Sequence, residues 1–107
     1  MYSWGLNSSG QLGLGHETDV AVPQRLEIDD VVTTVCAGAY HAAAITGQGS
    51  FFTWGFGGFG ALGHGDQNDH SRPTAVASTA FEAKQIAVGH SCTLVIDADD
   101  AIWITGE

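Results

Sequence analysis

The stretch Trp54-Gly55-Phe56-Gly57-Gly58-Phe59-Gly60-Ala61-Leu62-Gly63-His64-Gly65 has an earlier copy in Trp4-Gly5-Leu6-Asn7-Ser8-Ser9-Gly10-Gln11-Leu12-Gly13-Leu14-Gly15. Every Trp and Gly of the first copy recurs fifty positions later, Leu12 returns as Leu62, and Pro23 returns as Pro73. A period of about 20–50 residues belongs to solenoids, propellers or arrays, because each unit buries its apolar face only against a neighbour. Past the glycine stretch the repeat slips by one residue. Gly38 matches Gly89, Ile45 matches Ile96 and Gly55 matches Gly106, each fifty-one apart, so one extra residue lies between Pro73 and Gly89. The 107 residues read as a single repeat domain: repeat one at about 1–50, repeat two at about 51–101, and the start of a third at 102–107. There Thr105 stands where Trp4 and Trp54 stand in the full copies. The opening in mid-motif, Met1-Tyr2-Ser3-Trp4, reads as a fragment or an excised piece.

Strand chemistry recurs in each unit. Tyr2–Trp4 is a short aromatic strand stopped by Gly5. Asn7 and Gly57 are equivalent and both tolerate a left-handed backbone, which predicts a turn. Gly10–Gly15 and Gly60–Gly65 read as loops with Leu12 and Leu62 tucked inward. His16–Val22 and Asp66–Arg72 read as polar connectors, Pro23 marks an edge or turn, and Thr74–Val76 reads as an outer strand. Val31–Ala37 and Ala83–Val88 are β-rich and broken by Gly38 and Gly89. His41–Thr46 contains Ala42-Ala43-Ala44-Ile45, which alone favours helix, but the equivalent Thr93-Leu94-Val95-Ile96, within Cys92–Asp97, decides for strand. Gly47-Gln48-Gly49 and Ala98-Asp99-Asp100 are hairpin turns, with return strands at Phe51–Trp54 and Ile102–Ile104. Each unit therefore offers about four short strands, too few to bury both faces alone. Sheets stacked radially solve that, which predicts an all-β chain of propeller blades, each of four short antiparallel strands.

The bulk charge narrows the partners. The net charge is −9 and the three cations are Arg25, Arg72 and Lys84. A phosphate-binding surface needs clustered Lys and Arg, so nucleic acid and anionic membranes are not expected partners and a basic protein surface is. No apolar run reaches the ~18–20 residues of a membrane-spanning helix. Cys36 and Cys92 occupy non-equivalent repeat positions, which favours reduced thiols over a disulfide and an intracellular site, cytoplasmic or nuclear.

These residues resemble a known family. Trp-Gly, Gly-Gln-Leu-Gly-Leu-Gly, Pro, Gly-x-x-His, then Trp-Gly again is similar to the regulator of chromosome condensation repeat. The spacing of Trp4, Gly5, Gly10, Leu12, Gly13, Gly15, Pro23, Gly38 and His41 carries the likeness, with Trp54, Gly55, Gly60, Leu62, Gly63, Gly65, Pro73 and Gly89 in the second copy. The second copy departs at Cys92, which replaces the His, and at Ala61, which replaces the Gln. The resemblance implies a seven-bladed β-propeller with about one repeat per blade, and marks those residues as structural. Two repeats make a partial propeller, or one completed by self-assembly, with head-to-tail copies exchanging strands to finish a shared blade. The resemblance also implies a non-catalytic protein–protein interaction or scaffold module. Its alternatives are part of a guanine nucleotide exchange factor for a Ran-type small GTPase, and a purely structural self-assembling fragment.

No catalytic, cofactor or metal residue is assigned. Gly55–Gly60 satisfies G-x-G-x-x-G, but a dinucleotide site needs a helix after it and a loop is expected here. His64, Asp66, Asp69 and His70 crowd one loop and have zinc-ligand chemistry. The first copy keeps only His16, Glu17 and Asp19 there, so a solvated connector is the expectation. Asp97, Asp99 and Asp100 lack the glycine and distal Glu of a calcium loop. His41 reads as a core residue donating to backbone carbonyls, and His90 as exposed. A related plant ultraviolet-B photoreceptor carries a Gly-Trp-Arg-His-Thr pattern. Gly38-Ala39-Tyr40-His41-Ala42 and Gly89-His90-Ser91-Cys92-Thr93 lack its tryptophan, so light sensing is not implied; Trp4, Trp54 and Trp103 are expected to pack between blades.

Overall fold

A computed structural model describes residues 1–28, 30–76 and 82–106. The strands are β1 (Tyr2–Gly5), β2 (Val20–Arg25), β3 (Val32–Ala37), β4 (His41–Thr46), β5 (Phe51–Gly55), β6 (His70–Ala75), β7 (Ala83–Val88), β8 (Cys92–Asp97) and β9 (Ile102–Gly106), with one 3-10 turn at Gly58–Gly60. Every pairing is antiparallel. Three sheets result, ordered β1-β2, then β3-β4-β5-β6, then β7-β8-β9. The middle sheet is a complete four-stranded blade. Its neighbours supply the last two strands of the blade before and the first three of the blade after.

Sequence repeats and blades are out of phase. Repeat two gives β5 and β6 to the middle blade and β7 and β8 to the next, so each repeat stitches two blades together. The extra residue lies between β6 and β7, where the notional strand offset changes from fifty to fifty-one. Most of that connector, 77–81, lies outside the described residues; the expected outer strand Thr74–Val76 is the end of β6, which runs His70–Ala75.

Two sequence expectations need correction. Val20–Val22 and His70–Arg72 are strand, not connector. Both proline-bearing strands lie at a sheet edge, where a missing N–H costs no ladder bond, so Pro23 and Pro73 sit inside them. Asn7 and Gly57 do not adopt the left-handed backbone: neither is among the positive-φ residues, and Gly57 has φ −101. Gly57 is required for space instead, since an added Cβ would collide with the Asn68 carbonyl oxygen.

β4 is buried along its whole length, with Ala43 and Ala44 fully inaccessible. Side chains alternate across a strand, so β4 serves two interfaces at once. Ala42 and Ala44 join Leu26 and Trp54 toward the first sheet. Ile45 joins Phe51, Val76, Ala83 and Val95 toward the third. Burial between two sheets explains why alanine, a good helix former, stands in a strand: larger side chains would push the blades apart.

The three tryptophans divide. Trp54 is 2% exposed, whereas Trp4 and Trp103 are 57% and 51% exposed, contrary to the expectation that all three pack between blades. Trp54 lies against Gly13 of the preceding loop, where an added Cβ would stand 2.9 Å from its Nε1. Replacing Trp54 with Ala is expected to cost about 3–5 kcal/mol, as for a large aromatic removed from a core. Trp4→Ala should cost under about 1 kcal/mol, since little packing is lost. Urea melts of the two variants check this; equal losses would contradict the assignment.

Candidate interaction face

Antiparallel order sends the connectors alternately to the two ends of the sheets. Among the described residues, one end carries 6–19, 38–40, 56–69 and 89–91; the other carries 26–28, 30–31, 47–50, 76, 82 and 98–101. The first end holds the long glycine-rich loops. Gly10, Gly13 and Gly15 have φ of +75, +75 and +88, and Gly60, Gly63 and Gly65 have +73, +77 and +80. Only glycine takes that conformation without a steric penalty, which is why the same three positions recur.

Each loop is then pinned by its own polar groups. The Asp19 and Asp69 carboxylates accept from the Asn7 and Gly57 N–H groups, both at 2.8 Å. Ser3 and Thr53 hydroxyls donate to the Leu12 and Leu62 carbonyls, both at 2.7 Å. Asp19 and Asp69, and Ser3 and Thr53, recur fifty apart, a signal that stands in the sequence beside the glycines; the Asp pair, read for its ligand chemistry, serves as a loop cap instead. Asn7 is buried; its Nδ2 donates to the His16 and Thr18 carbonyls, and its Oδ1 accepts from the Leu12 N–H. In the second copy the Asn68 carbonyl moves into the space that the Asn7 side chain fills in the first.

Neighbouring blades are joined by donors reaching these loops. Trp54 Nε1 donates to the Gln11 carbonyl at 2.9 Å. At the next interface the worn position Thr105 donates to the Gly60 carbonyl at 2.6 Å, and Thr93 donates to the Ala61 carbonyl at 2.7 Å. Ala42 faces Trp54 across the β4–β5 ladder, and Thr93 faces Thr105 across β8–β9. A small–large pair with one indole donor is thus replaced by two threonines with two hydroxyl donors.

His41 is fully buried and completes the junction. Its Nε2 lies 3.2 Å from the Cys92 carbonyl oxygen and 3.1 Å from Thr93 Oγ1, so Nε2 carries the hydrogen and donates, while Nδ1 is buried without a partner. Burial holds the His41 pKa below the ordinary imidazole value, helped by His90 and opposed by the bond to Cys92. His64 is likewise lowered, by burial first and by His70 next; its ring centroid is 4.5 Å from that of His70.

The loop chemistry that suggested zinc is spent internally. His64 Nε2 contacts Thr53 Oγ1 at 2.9 Å, Asp69 caps Gly57, and Asp66 Oδ1 accepts from the Asn68 N–H. Among the described residues no group of three or more His, Cys, Asp or Glu is placed to hold a metal ion. Asp97 also serves a turn: its pKa is lowered by the Trp103 indole N–H first, then the Ala101 N–H, with Asp99 N–H adding to it against burial. What this end does present is aromatic. Tyr40 meets Phe56 edge-on at 6.5 Å and His90 edge-on at 5.6 Å, linking two blades. Phe59, in the left-handed region at φ 62, is 56% exposed at the tip of its loop.

The regulator of chromosome condensation (RCC1) repeat matches residues 1–45 and 48–96, and a second form of it matches 32–61. The chain belongs to that repeat family. Over 97% of its length it is 39% identical to the Arabidopsis thaliana ultraviolet-B receptor UVR8, and over all of it 36% identical to the human E3 ubiquitin-protein ligase HERC2. It spans 24% and 2% of those proteins. Human WBSCR16 superposes with a TM-score of 0.90 at 25% identity, and yeast RCC1 (Prp20) bound to Kap60 with 0.87 at 22%. In each case 98% of this chain covers little more than a quarter of the other, 28% and 27%. The fold is therefore an RCC1-type β-propeller segment.

Acid should loosen this junction. A histidine whose folded pKa is depressed binds its proton more readily when unfolded, so its stabilisation is full above the unfolded value of about 6.5 and falls as pH drops through it. His41 and His64 both act in this direction. Melting temperature should fall between about pH 7 and 5.5, and His64→Leu, which installs the residue of the first copy, should flatten the slope. A melt independent of pH across that window would contradict the assignment.

Proposed function

We propose that this chain is a non-catalytic protein-interaction or scaffold module, acting through its glycine-loop end. The observation that carries this is the aromatic array of Tyr40, Phe56 and His90, which spans two blades, with Phe59 exposed at the same end, while polar groups of the same loops are consumed internally. Aromatic side chains are enriched at the energetic centres of protein interfaces. A basic protein surface is the partner best matched to a net charge of −9. A solved structure of the yeast protein Prp20p is described together with its binding to Gsp1p and to histones, which supports looking among GTPases and basic proteins first. The free thiols at Cys36 and Cys92 suit an intracellular setting, cytoplasmic or nuclear.

Guanine nucleotide exchange on a Ran-type GTPase is the second reading, favoured by the family and by that likeness. Head-to-tail self-assembly has less support. The terminal sheets contribute two and three strands, so a shared blade would hold 2 + 3 = 5 strands, one more than the complete blade. Binding of a core histone and release of fluorescent GDP from a Ran-type GTPase separate the readings. The interaction module predicts saturable histone binding, weakened at least tenfold by Tyr40→Ala, with unchanged nucleotide release. Faster release would assign exchange. Histone binding indifferent to Tyr40, or absent, would count against this face.

A further inference from the structure

A chain of net charge −9 carries three cations, Arg25, Arg72 and Lys84. Lys84 is engaged by Asp100, with Nζ 2.8 Å from Oδ1. The other two line one small cavity between neighbouring blades. Its volume is about 180 Å³ and its walls are Gly13, Leu14, Arg25, Glu27, Arg72 and Pro73. Arg25 ends β2 and Arg72 lies within β6, and each strand is at the edge of its sheet. The backbone beside the cavity is tied across the gap by the Gly15 N–H, which donates to the Ser71 carbonyl at 2.8 Å. Neither β1 nor β9 contributes to the walls.

We propose that this cavity binds a phosphate group in its dianionic form. Its residues are none of those in the Tyr40–Phe56–His90 array, so the site stands apart from the interaction-module reading. Neither arginine is a requirement of the repeat. Val22 holds the position of Arg72 in the first copy, and Ala75 holds that of Arg25 in the second, so strand packing alone asks for no guanidinium at either place. Arg72 takes part in neither ion pair seen among the described residues. Its guanidinium lies across Gly15, with Cζ 2.6 Å from where a Cβ would stand, so only a glycine there lets it approach the cavity floor this closely. Arg25 Nε meets Glu27 Oε1 at 3.4 Å, but the two side chains are 70% and 74% exposed, and such a pair is weak and readily displaced. Two guanidinium groups present two planar forks of N–H donors. One fork satisfies both oxygens of a carboxylate, whereas the three terminal oxygens of a phosphate engage both forks. The surrounding excess of carboxylates repels any anion, which leaves the advantage to a doubly charged group held by two cations at short range. Glu27 is then the competing anion that the phosphate displaces from Arg25.

The probes are inorganic phosphate and a short phosphoserine peptide with its unphosphorylated twin. Each is titrated into the full chain at constant ionic strength while the Nε resonances of Arg25 and Arg72 and the Gly13 amide are followed. Both phosphate probes should saturate and shift the two arginine resonances together, and the unphosphorylated twin should not. Tighter binding of inorganic phosphate would assign the site to the free ion, and tighter binding of the peptide to a phosphorylated side chain; either supports the proposal. Arg25→Gln and Arg72→Gln should each weaken binding about tenfold, as for one lost charge-assisted contact. Arg25 is exposed, so its variant should melt with the parent. Glu27→Gln removes the competing carboxylate and should tighten binding, a gain that unfolding or lost packing does not produce. No saturation by either phosphate probe, equal binding of the unphosphorylated twin, indifference to Arg25→Gln, or no gain from Glu27→Gln would each overturn the proposal.

Discussion

The structure depends on one constraint: no continuous backbone ladder runs between blades, so that beside single backbone bonds, Gly15 N–H to the Ser71 carbonyl and Ala83 N–H to the Gly49 carbonyl, side chains carry hydrogen bonds across each gap. Trp54 does this at the first interface by donating to the Gln11 carbonyl. The bond fixes more than one loop residue, because the indole also sits on Gly13, whose positive φ shapes the loop. A buried carbonyl left without a donor costs more than the bond itself contributes, about 1–3 kcal/mol. That asymmetry explains why the interface carrying Thr105 instead of a tryptophan is not simply missing its bond. Two threonine hydroxyls satisfy the adjacent carbonyls of the same loop.

β4 shows how the two interfaces are coupled. The strand is covered on both faces, and at its start His41 reaches the Cys92 carbonyl and Thr93 of the next sheet. Thr93 in turn holds Ala61. One chain of contacts therefore runs from the buried imidazole through a threonine to the glycine loop that bears Phe59. Burial of the imidazole in its neutral form ties that chain to pH, while Phe59 at the loop tip is exposed.

Much of this was legible in the sequence. The fifty-residue period, the alternation of short strands and the recurring Trp-Gly and Gly-x-x-His patterns lead to antiparallel blades, and β4, β7 and β8 fall on the boundaries read from residues alone. What was not legible is physical context. Trp4 and Trp54 look identical in sequence, yet burial at an interface is set by the neighbouring blade, not by the residue. Pro23 and Pro73 mask their strands because a proline is compatible with an edge position only once the sheet order is known. Asn7 and Gly57 share a position but not a reason: one is kept for its amide, the other for its lack of a side chain.

The central claim is that interface donors and the residues facing them form matched pairs. The most direct test is to convert one pair into the other with Thr93→Ala and Thr105→Trp, separately and together, and to measure unfolding free energies. The account predicts that each single change destabilises, the first by stripping the Ala61 carbonyl of its donor and the second by crowding Thr93. The double variant should recover to within about 1 kcal/mol of the parent, a coupling expected only for residues in contact. Losses that simply add would show that the Ala42–Trp54 and Thr93–Thr105 pairs are not alternative solutions to one constraint.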